Sequence, residues 1–372
     1  MLHSFSVKNF KGFKDEITLD LSNVKNYEFN PEAIRNGLVN TALIYGYNGV
    51  GKSNLALAIM DIILHLTDKN RRLELYGNYL NADSDNSLAE FTYSFLLNGS
   101  TLVYRYGKSN YETIVYETVL IDDKEIIKYT SQGNQPLKID LPGTETLNKN
   151  LNQLKISVLK YIKANAVLNE SKETAVFKEF LNFVDNMLLF WDRDDRGYQG
   201  YEVGSYNIIT NIIETKHFED FKEFLKQAGV YYNINYEKNN DRYELYFIFN
   251  KKEIDFWRSA STGIKSLTIF YFWLMRIRYE KNPPSLVFID EFDAFYHSML
   301  ARHIIEEIKK INKCQFILTT HNTGIMTNDL LRPDCYFHMY KNRIQSLANL
   351  TNKELRVAHN LEKIYRAGLI NE

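Results

Sequence analysis

The chain has 372 residues, with 45 Lys and Arg against 46 Asp and Glu and a formal net charge of -1, so no overall basic field points to a nucleic-acid partner. Hydrophobic residues make up 45%, enough for a sizeable core across roughly two or three domain-sized units. The N-terminal stretch MLHSFSVKNFKGFKDE is too polar for a secretion signal and no apolar run is long enough to span a membrane, which excludes those classes and predicts a cytoplasmic protein.

In chain order, residues 1–7 read as a strand with His3, Phe5 and Val7 on one face. Residues 9–13 form a turn, and 16–21 (EITLDL) alternate again, as in a hairpin. Residues 23–37 are polar and predict a loop. Residues 42–45 are apolar and short, the signature of a buried strand. Then comes Gly46-Tyr47-Asn48-Gly49-Val50-Gly51-Lys52-Ser53, which fits G-x-x-x-x-G-K-[ST] at every fixed position. From Asn54 to Leu66, apolar residues recur at helical spacing. The motif therefore sits between a strand end and a helix start. Glycines 46, 49 and 51 permit backbone angles that let Gly46, Asn48, Gly49, Val50 and Gly51 close their amides around phosphate. The helix start at Ser53 and Asn54 adds unpaired N–H donors. Lys52 can reach the β- and γ-phosphates, and the Ser53 hydroxyl can hold Mg²⁺. A complete motif with correct flanks outweighs the alternative of a glycine-rich turn that binds nothing.

Residues 68–87 are charged and irregular. Residues 88–139 read as short antiparallel strands, with turns at Asn98-Gly99 and Asp122-Asp123. Residues 147–190 read as amphipathic helices, 192–204 as a polar loop, and 208–228 as a further helix. Residues 230–249 read as a hairpin turning at 239–241. Cys314 and Cys335, the 2 cysteines, lie in or beside strand-like apolar runs without metal-ligand spacing, which predicts buried free thiols. The divisions expected are 1–67, an N-terminal lobe with the P-loop; 68–146, an antiparallel β-subdomain; 147–250, a helical insert and hairpin; and 251–372, a C-terminal lobe.

Three segments of that last lobe carry chemistry. Residues 286–291 (LVFIDE) form an apolar run ending in two acids, as a buried parallel strand does. Asp290 can hold Mg²⁺ through water, and Glu291 can orient or deprotonate an attacking water. Residues 260–265 (ASTGIK) precede the apolar helix 266–277. Ser261 and Gly263 there could face a phosphate, but read locally Ser261 or Thr262 is more simply the N-cap of a core helix. Residues 315–322 (QFILTTHN) form another buried strand. Its His321 would lie beside Glu291 at the carboxyl edge of the sheet, where it could bond a γ-phosphate; in isolation it reads more simply as an ordinary strand-end histidine.

The order of parts resembles the ATP-binding-cassette-like ATPases of the SMC, recombination-repair and OLD type. ALIYGYNGVGKSNL, SASTGIKSL, LVFIDEFDAFYHSML, FILTTHNTGIM and RVAHNLEKIYRAGL are similar to the OLD-like ATP-binding proteins of bacterial defence loci. The resemblance implies an α/β fold, a P-loop NTPase of ABC-ATPase type, whose mixed central sheet is flanked by helices and joined by the antiparallel β-subdomain and the helical insert. It implies ATP and Mg²⁺ as cofactors and a homodimer or higher homo-oligomer closed head to tail. Ser261 and Gly263 would then be the signature completing the opposite subunit's site. Glu291 would be catalytic and His321 the switch residue.

The signature here is STGIK rather than LSGGQ. Asp293 is the nearest candidate for the D-loop acid, and His297 resembles a histidine of the group. Gln132, Gln135 and Gln153 are weak candidates for the Mg-sensing glutamine. OLD nucleases continue into a metal-binding nuclease domain, and no acidic cluster here could supply one. The expected output is therefore a separate effector protein, with the ATPase as sensor. Two alternatives stand beside this: a nucleotide-gated scaffold with negligible hydrolysis, and a DNA-binding ATPase of repair or SMC type. The second would use Lys69, Arg71, Arg72 and lysines between 149 and 178. A solvated helix face is the simpler reading of those lysines. Nucleic acid is thus possible but not indicated, and no membrane partner is expected.

Overall fold

The computed structural model describes residues 1–69, 72–132, 135–149, 156–191, 198–201, 208–240, 242–250, 252–294, 298–351 and 355–367. Short apolar runs build its centre. Thr41–Tyr45, Leu286–Asp290, Gln315–Thr319 and Tyr336–Met339 are buried at every residue, as strands covered on both faces must be. They lie in a seven-stranded sheet ordered Tyr198–Gly200, Met187–Trp191, Leu286–Asp290, Gln315–Thr319, Thr41–Tyr45, Tyr336–Met339, Ile344–Ser346. The inner five strands run parallel and both edges pair antiparallel. The P-loop strand Thr41–Tyr45 thus has Gln315–Thr319 on one side and Tyr336–Met339 on the other.

The strand Met187–Trp191 corrects the sequence reading, which ran a helix to residue 190. The helix Lys172–Asp185 is closed at its start by a reciprocal Ser171–Thr174 capping box and ends at Asn186. The next five residues then pair in register from Met187 with Leu286 to Trp191 with Asp290. Periodicity cannot separate a short apolar strand from the last turns of a helix. Residues 208–228 likewise divide into Ile208–Glu214 and Phe218–Gln227, because Lys216 adopts φ +62° between them.

A second seven-stranded sheet is antiparallel throughout. Its order is Lys138–Ile139, Lys124–Thr130, Ile114–Ile121, Ser100–Lys108, Ala89–Leu97, Leu2–Lys8, Ile17–Asp20. The turns expected at 98–99 and 122–123 both form, with positive φ at all four residues. The strands after the first helix therefore extend the N-terminal hairpin. Gln315 links this sheet to the central one: its side chain accepts from the Leu2 N–H and donates to the Leu2 and Val39 carbonyls, at 2.9–3.0 Å.

The helix Lys52–Leu66 lies between the two sheets and is buried on almost every face, which matches its nearly uniform apolar sequence. It packs on Met187–Trp191 and Leu286–Asp290, while the Tyr93 hydroxyl from the antiparallel sheet donates to its Ala58 carbonyl at 2.8 Å. Ile234–Asn239 and Arg242–Phe249 form the expected hairpin, and Lys252–Asp255 adds a third strand. Both cysteines are free and buried. Among the lysines weighed for DNA, Lys160 pairs with Asp68, Lys163 with Asp185 and Lys172 with Asp122, and the Lys69 ammonium donates to the Asp185 carbonyl. Arg71 lies outside the described residues. No helix among the described residues is long and apolar enough to cross a membrane.

Candidate nucleotide-binding site

The loop between Tyr45 and Lys52 is shaped by two different demands on glycine. Gly49 and Gly51 adopt φ +78° and +109°, which side chains resist. Gly46 does not; there a Cβ would sit 2.8 Å from the Met339 carbonyl oxygen, so close backbone approach excludes one. At Gly51 the same atom would also meet the Phe13 ring at 2.8 Å. Phe13, from the N-terminal turn, therefore supports the phosphate loop from below. Gly51 caps the helix start with no side-chain bond, leaving N–H donors of the first turn for an anion.

Lys52 is 5% exposed. Its ammonium donates to the carbonyls of Gly46 and Tyr47 at 2.9 and 3.2 Å. Burial lowers its pKa, and the charges of Asp290 and Glu291 act against that. His321 carries the same signs of neighbourhood. Burial lowers its pKa first and the Lys52 charge adds to it, while Glu291 and Asp290 oppose both. The P-loop lysine, the two acids and the histidine are thus brought to one edge of the central sheet, although they come from three different strand ends. With its pKa lowered, His321 is neutral at pH 7 and can donate one ring N–H.

The acids are held by a group the sequence reading did not single out. Thr319, the last residue of its strand and fully buried, donates its hydroxyl to Asp290 Oδ1 at 2.7 Å. The Thr319 hydroxyl oxygen in turn accepts the Glu291 N–H at 2.7 Å. Glu291 needs that support because it stands at φ +53°, a left-handed conformation costly for a residue with a Cβ. That conformation turns the chain just past the strand end. A threonine at a strand end carries no such signal by itself; only pairing Gln315–Thr319 beside Leu286–Asp290 reveals it.

Other expected residues fall less simply. Ser261 is exposed and caps the helix Thr262–Tyr279, accepting the Ile264 N–H at 3.4 Å. Gly263 lies in the first turn of that helix. Within one chain neither bonds to the P-loop, so the N-cap reading describes what Ser261 does here. Asp293 is turned inward, accepts the Thr320 hydroxyl at 2.8 Å and is pushed up in pKa by burial. Gln132 is exposed, and Gln135 lines a small cavity beside Glu125 and Lys138, on the antiparallel sheet. Gln153 and His297 lie outside the described residues.

The residues present fit a magnesium–nucleotide complex. The loop has close-approach glycines, open amides and a buried lysine, and a cavity of about 1140 Å³ lies along it. Ser53 and Asp290 supply oxygens of the kind Mg²⁺ takes, and that ion characteristically completes its shell with phosphate and water.

Residues 42–327 match a family model described as "AAA domain, putative AbiEii toxin, Type IV TA system". No curated protein sequence matches the chain. Among solved structures it is similar to an SMC head bound to the C-winged helix domain of ScpA, at 17% identity and TM-score 0.48, covering 92% of this chain and 96% of that one. It is similar to the SMC head domain from Thermotoga maritima, at 14% identity and TM-score 0.43, covering 93% and 98%. A third similarity is to an SMC head with an extended coiled coil bound to the C-terminal domain of ScpA derived from Pyrococcus furiosus, at 14% identity and TM-score 0.48, covering 94% and 97%.

Proposed function

This chain belongs to the AAA-domain family whose model spans residues 42–327, and from that membership we propose that it is a Mg-dependent ATPase that closes head to tail around ATP. Its cycle serves as a switch, acting through a separate effector protein in bacterial anti-phage defence. The observation that supports the hydrolytic part best is the Thr319 hydroxyl joining Asp290 to the Glu291 N–H, at the sheet edge where Lys52 feels both acids.

In this reading Lys52 and the amides of residues 46–51 hold the phosphates. Ser53 and Asp290 hold Mg²⁺, which would neutralise charge on the β- and γ-phosphates. Glu291 orients water. Neutral His321 donates a hydrogen bond to the γ-phosphate. Ser261 and Gly263 act on the opposite subunit's nucleotide. Phosphoryl transfer asks a protein chiefly for positioning and charge stabilisation, and a rigid buried threonine serves the first of these.

The test is steady-state phosphate release with purified protein, ATP and Mg²⁺. Lys52→Ala is expected to abolish nucleotide binding. Glu291→Gln is expected to bind ATP and turn over about 10²–10⁴-fold more slowly, the range spanned by loss of a general base. Turnover of Glu291→Gln at the parental rate would remove Glu291 from the role. Parental turnover raised by a phage component would favour sensing; a slow rate indifferent to every addition would favour a scaffold that hydrolysis only resets.

A further inference from the structure

We propose that the C-terminal helix Leu361–Arg366 is a clasp that fixes where His321 stands relative to the phosphate loop, with Thr323, Glu362 and Tyr365 as positioning residues. This rests on the ATPase reading above and adds what holds its histidine in place.

Strand order explains the need. Gln315–Thr319, Thr41–Tyr45 and Tyr336–Met339 are neighbours and run parallel. His321 follows the first and the phosphate loop follows the second. The third abuts that loop, since a Cβ on Gly46 would sit 2.8 Å from the Met339 carbonyl oxygen. The first strand ends at Thr319, so the residues beyond it need other bonds to keep a fixed place.

Those bonds are present on both sides of His321. Before it, the Thr320 hydroxyl donates to Asp293 at 2.8 Å. After it, the Thr323 hydroxyl donates to Glu362 Oε1 at 2.8 Å, and Arg366 donates to the same hydroxyl at 2.8 and 3.2 Å. Glu362 and Arg366 lie one turn apart on the helix and pair with each other at 2.7 Å. Further along, the buried Asn328 amide donates to the carbonyls of Arg356, Val357 and His359 at 2.8–3.3 Å. This ties the lead-in of the helix to the same segment. His321 thus stands between two anchored threonines.

The helix also reaches across the phosphate-loop strand. The Tyr365 hydroxyl shares a hydrogen bond with His338 Nδ1 at 2.7 Å. Its ring packs on Tyr45, the last residue of the phosphate-loop strand, with centroids 6.0 Å apart. Burial, with the nearby charges of Arg343 and Lys52, pushes His338 down to about 4, which leaves it a neutral partner for that hydroxyl. One short helix therefore joins the segment after His321 to the two strands that carry and flank the phosphate loop.

Stability alone does not call for this arrangement. Buried Leu361 anchors the helix through its apolar side, and an ion pair as exposed as Arg366–Glu362, at 68% and 29%, adds little. Placement is where it counts: a shift of about 1 Å at a reacting group can cost about 10²-fold in rate.

The experiment measures kcat by steady-state phosphate release and MgATP affinity by isothermal titration calorimetry. Glu362→Ala, Thr323→Val and Tyr365→Phe should each lower kcat about tenfold to hundredfold and leave ATP affinity as in the parent. Thr323→Ser should restore kcat. In a His321→Ala background, Glu362→Ala should cost nothing further, since the helix acts through that residue. Losses that multiply, or a parental kcat in all three variants, would overturn the clasp. A parent that hydrolyses no ATP would instead sink the ATPase reading, and hydrogen exchange then decides the clasp alone. In unmodified protein, mild urea should release amide protection at residues 321–327 and 361–366 in step, as one opening unit. Release of one segment well before the other would overturn the clasp, whether or not any variant folds.

Discussion

At the scale of single residues, Thr319 ties together the two acids beside it. Its one hydroxyl is both acceptor for a strained backbone N–H and donor to a buried carboxylate. Replacing it by valine keeps the shape and leaves both partners without their bond, at about 1–3 kcal/mol for the groups left unsatisfied. Thr319→Val should therefore lose stability in urea denaturation and lose turnover, while ATP binding through Lys52 persists. Thr319→Ser should restore both. A valine variant with the parental rate would show that the bridge has no part in hydrolysis. His338 gives a second prediction here. Its folded pKa is about 4, against an unfolded value near 6.5. The unfolded chain thus binds the proton first, and stability falls as pH drops from about 6.5 toward 4. His338→Gln should flatten that part of the curve when urea midpoints are measured at pH 7 and pH 5. The phosphate loop and the two acids were legible from sequence because each is a contiguous pattern. Thr319 was not, because its role exists only across a strand pair.

At the scale of elements, the P-loop helix is held by a polar centre that its sequence conceals. DIILHL reads as apolar helix, yet Asp61 and His65 face inward. The Asp61 carboxylate accepts from Tyr79 at 2.8 Å, Tyr106 at 2.9 Å and Lys108 at 2.7 Å, with Asp61 and Lys108 both 0% exposed. His65 meets Tyr104, whose hydroxyl donates to buried Glu117, and Glu117 also takes the Ser157 hydroxyl and the Val158 N–H. Two clusters, one turn apart, thus tie the helix behind Lys52 to the antiparallel sheet, and the second reaches Ser157 at the start of the helix Val158–Asn165. Asp61→Leu would leave the Lys108 charge buried alone and should cost about 3–5 kcal/mol, whereas Asp61→Leu with Lys108→Met should recover most of that loss. Calorimetric melting of both variants checks it; equal melting points would deny the coupling. The same distance from sequence explains the strand Met187–Trp191. Five apolar residues specify burial, and only the vacant position beside Leu286–Asp290 decides that they extend rather than coil.

At the scale of the whole molecule, the two halves of the proposed site behave differently. Lys52, Asp290, Glu291 and His321 influence one another within one chain, while Ser261 and Gly263 open an exposed helix start. An exposed cap with no partner of its own in the site is what a residue acting on a second copy would look like before closure. A head-to-tail pair joined by a two-fold axis buries the same surface from both copies, so each pocket needs one Lys52 and one Ser261 from different chains. Glu291→Gln with MgATP should then elute as a dimer in light-scattering chromatography and as a monomer without nucleotide. Adding Ser261→Arg, which puts bulk and charge at the cap, should return it to monomer while leaving ATP binding by each chain intact. Complementation is sharper. Lys52→Ala and Ser261→Arg should each be inactive alone, yet their mixture can assemble one complete pocket per mixed dimer and should recover part of the parental turnover. A mixture as inactive as its components, with both variants folded, would mean that Ser261 serves only its own helix.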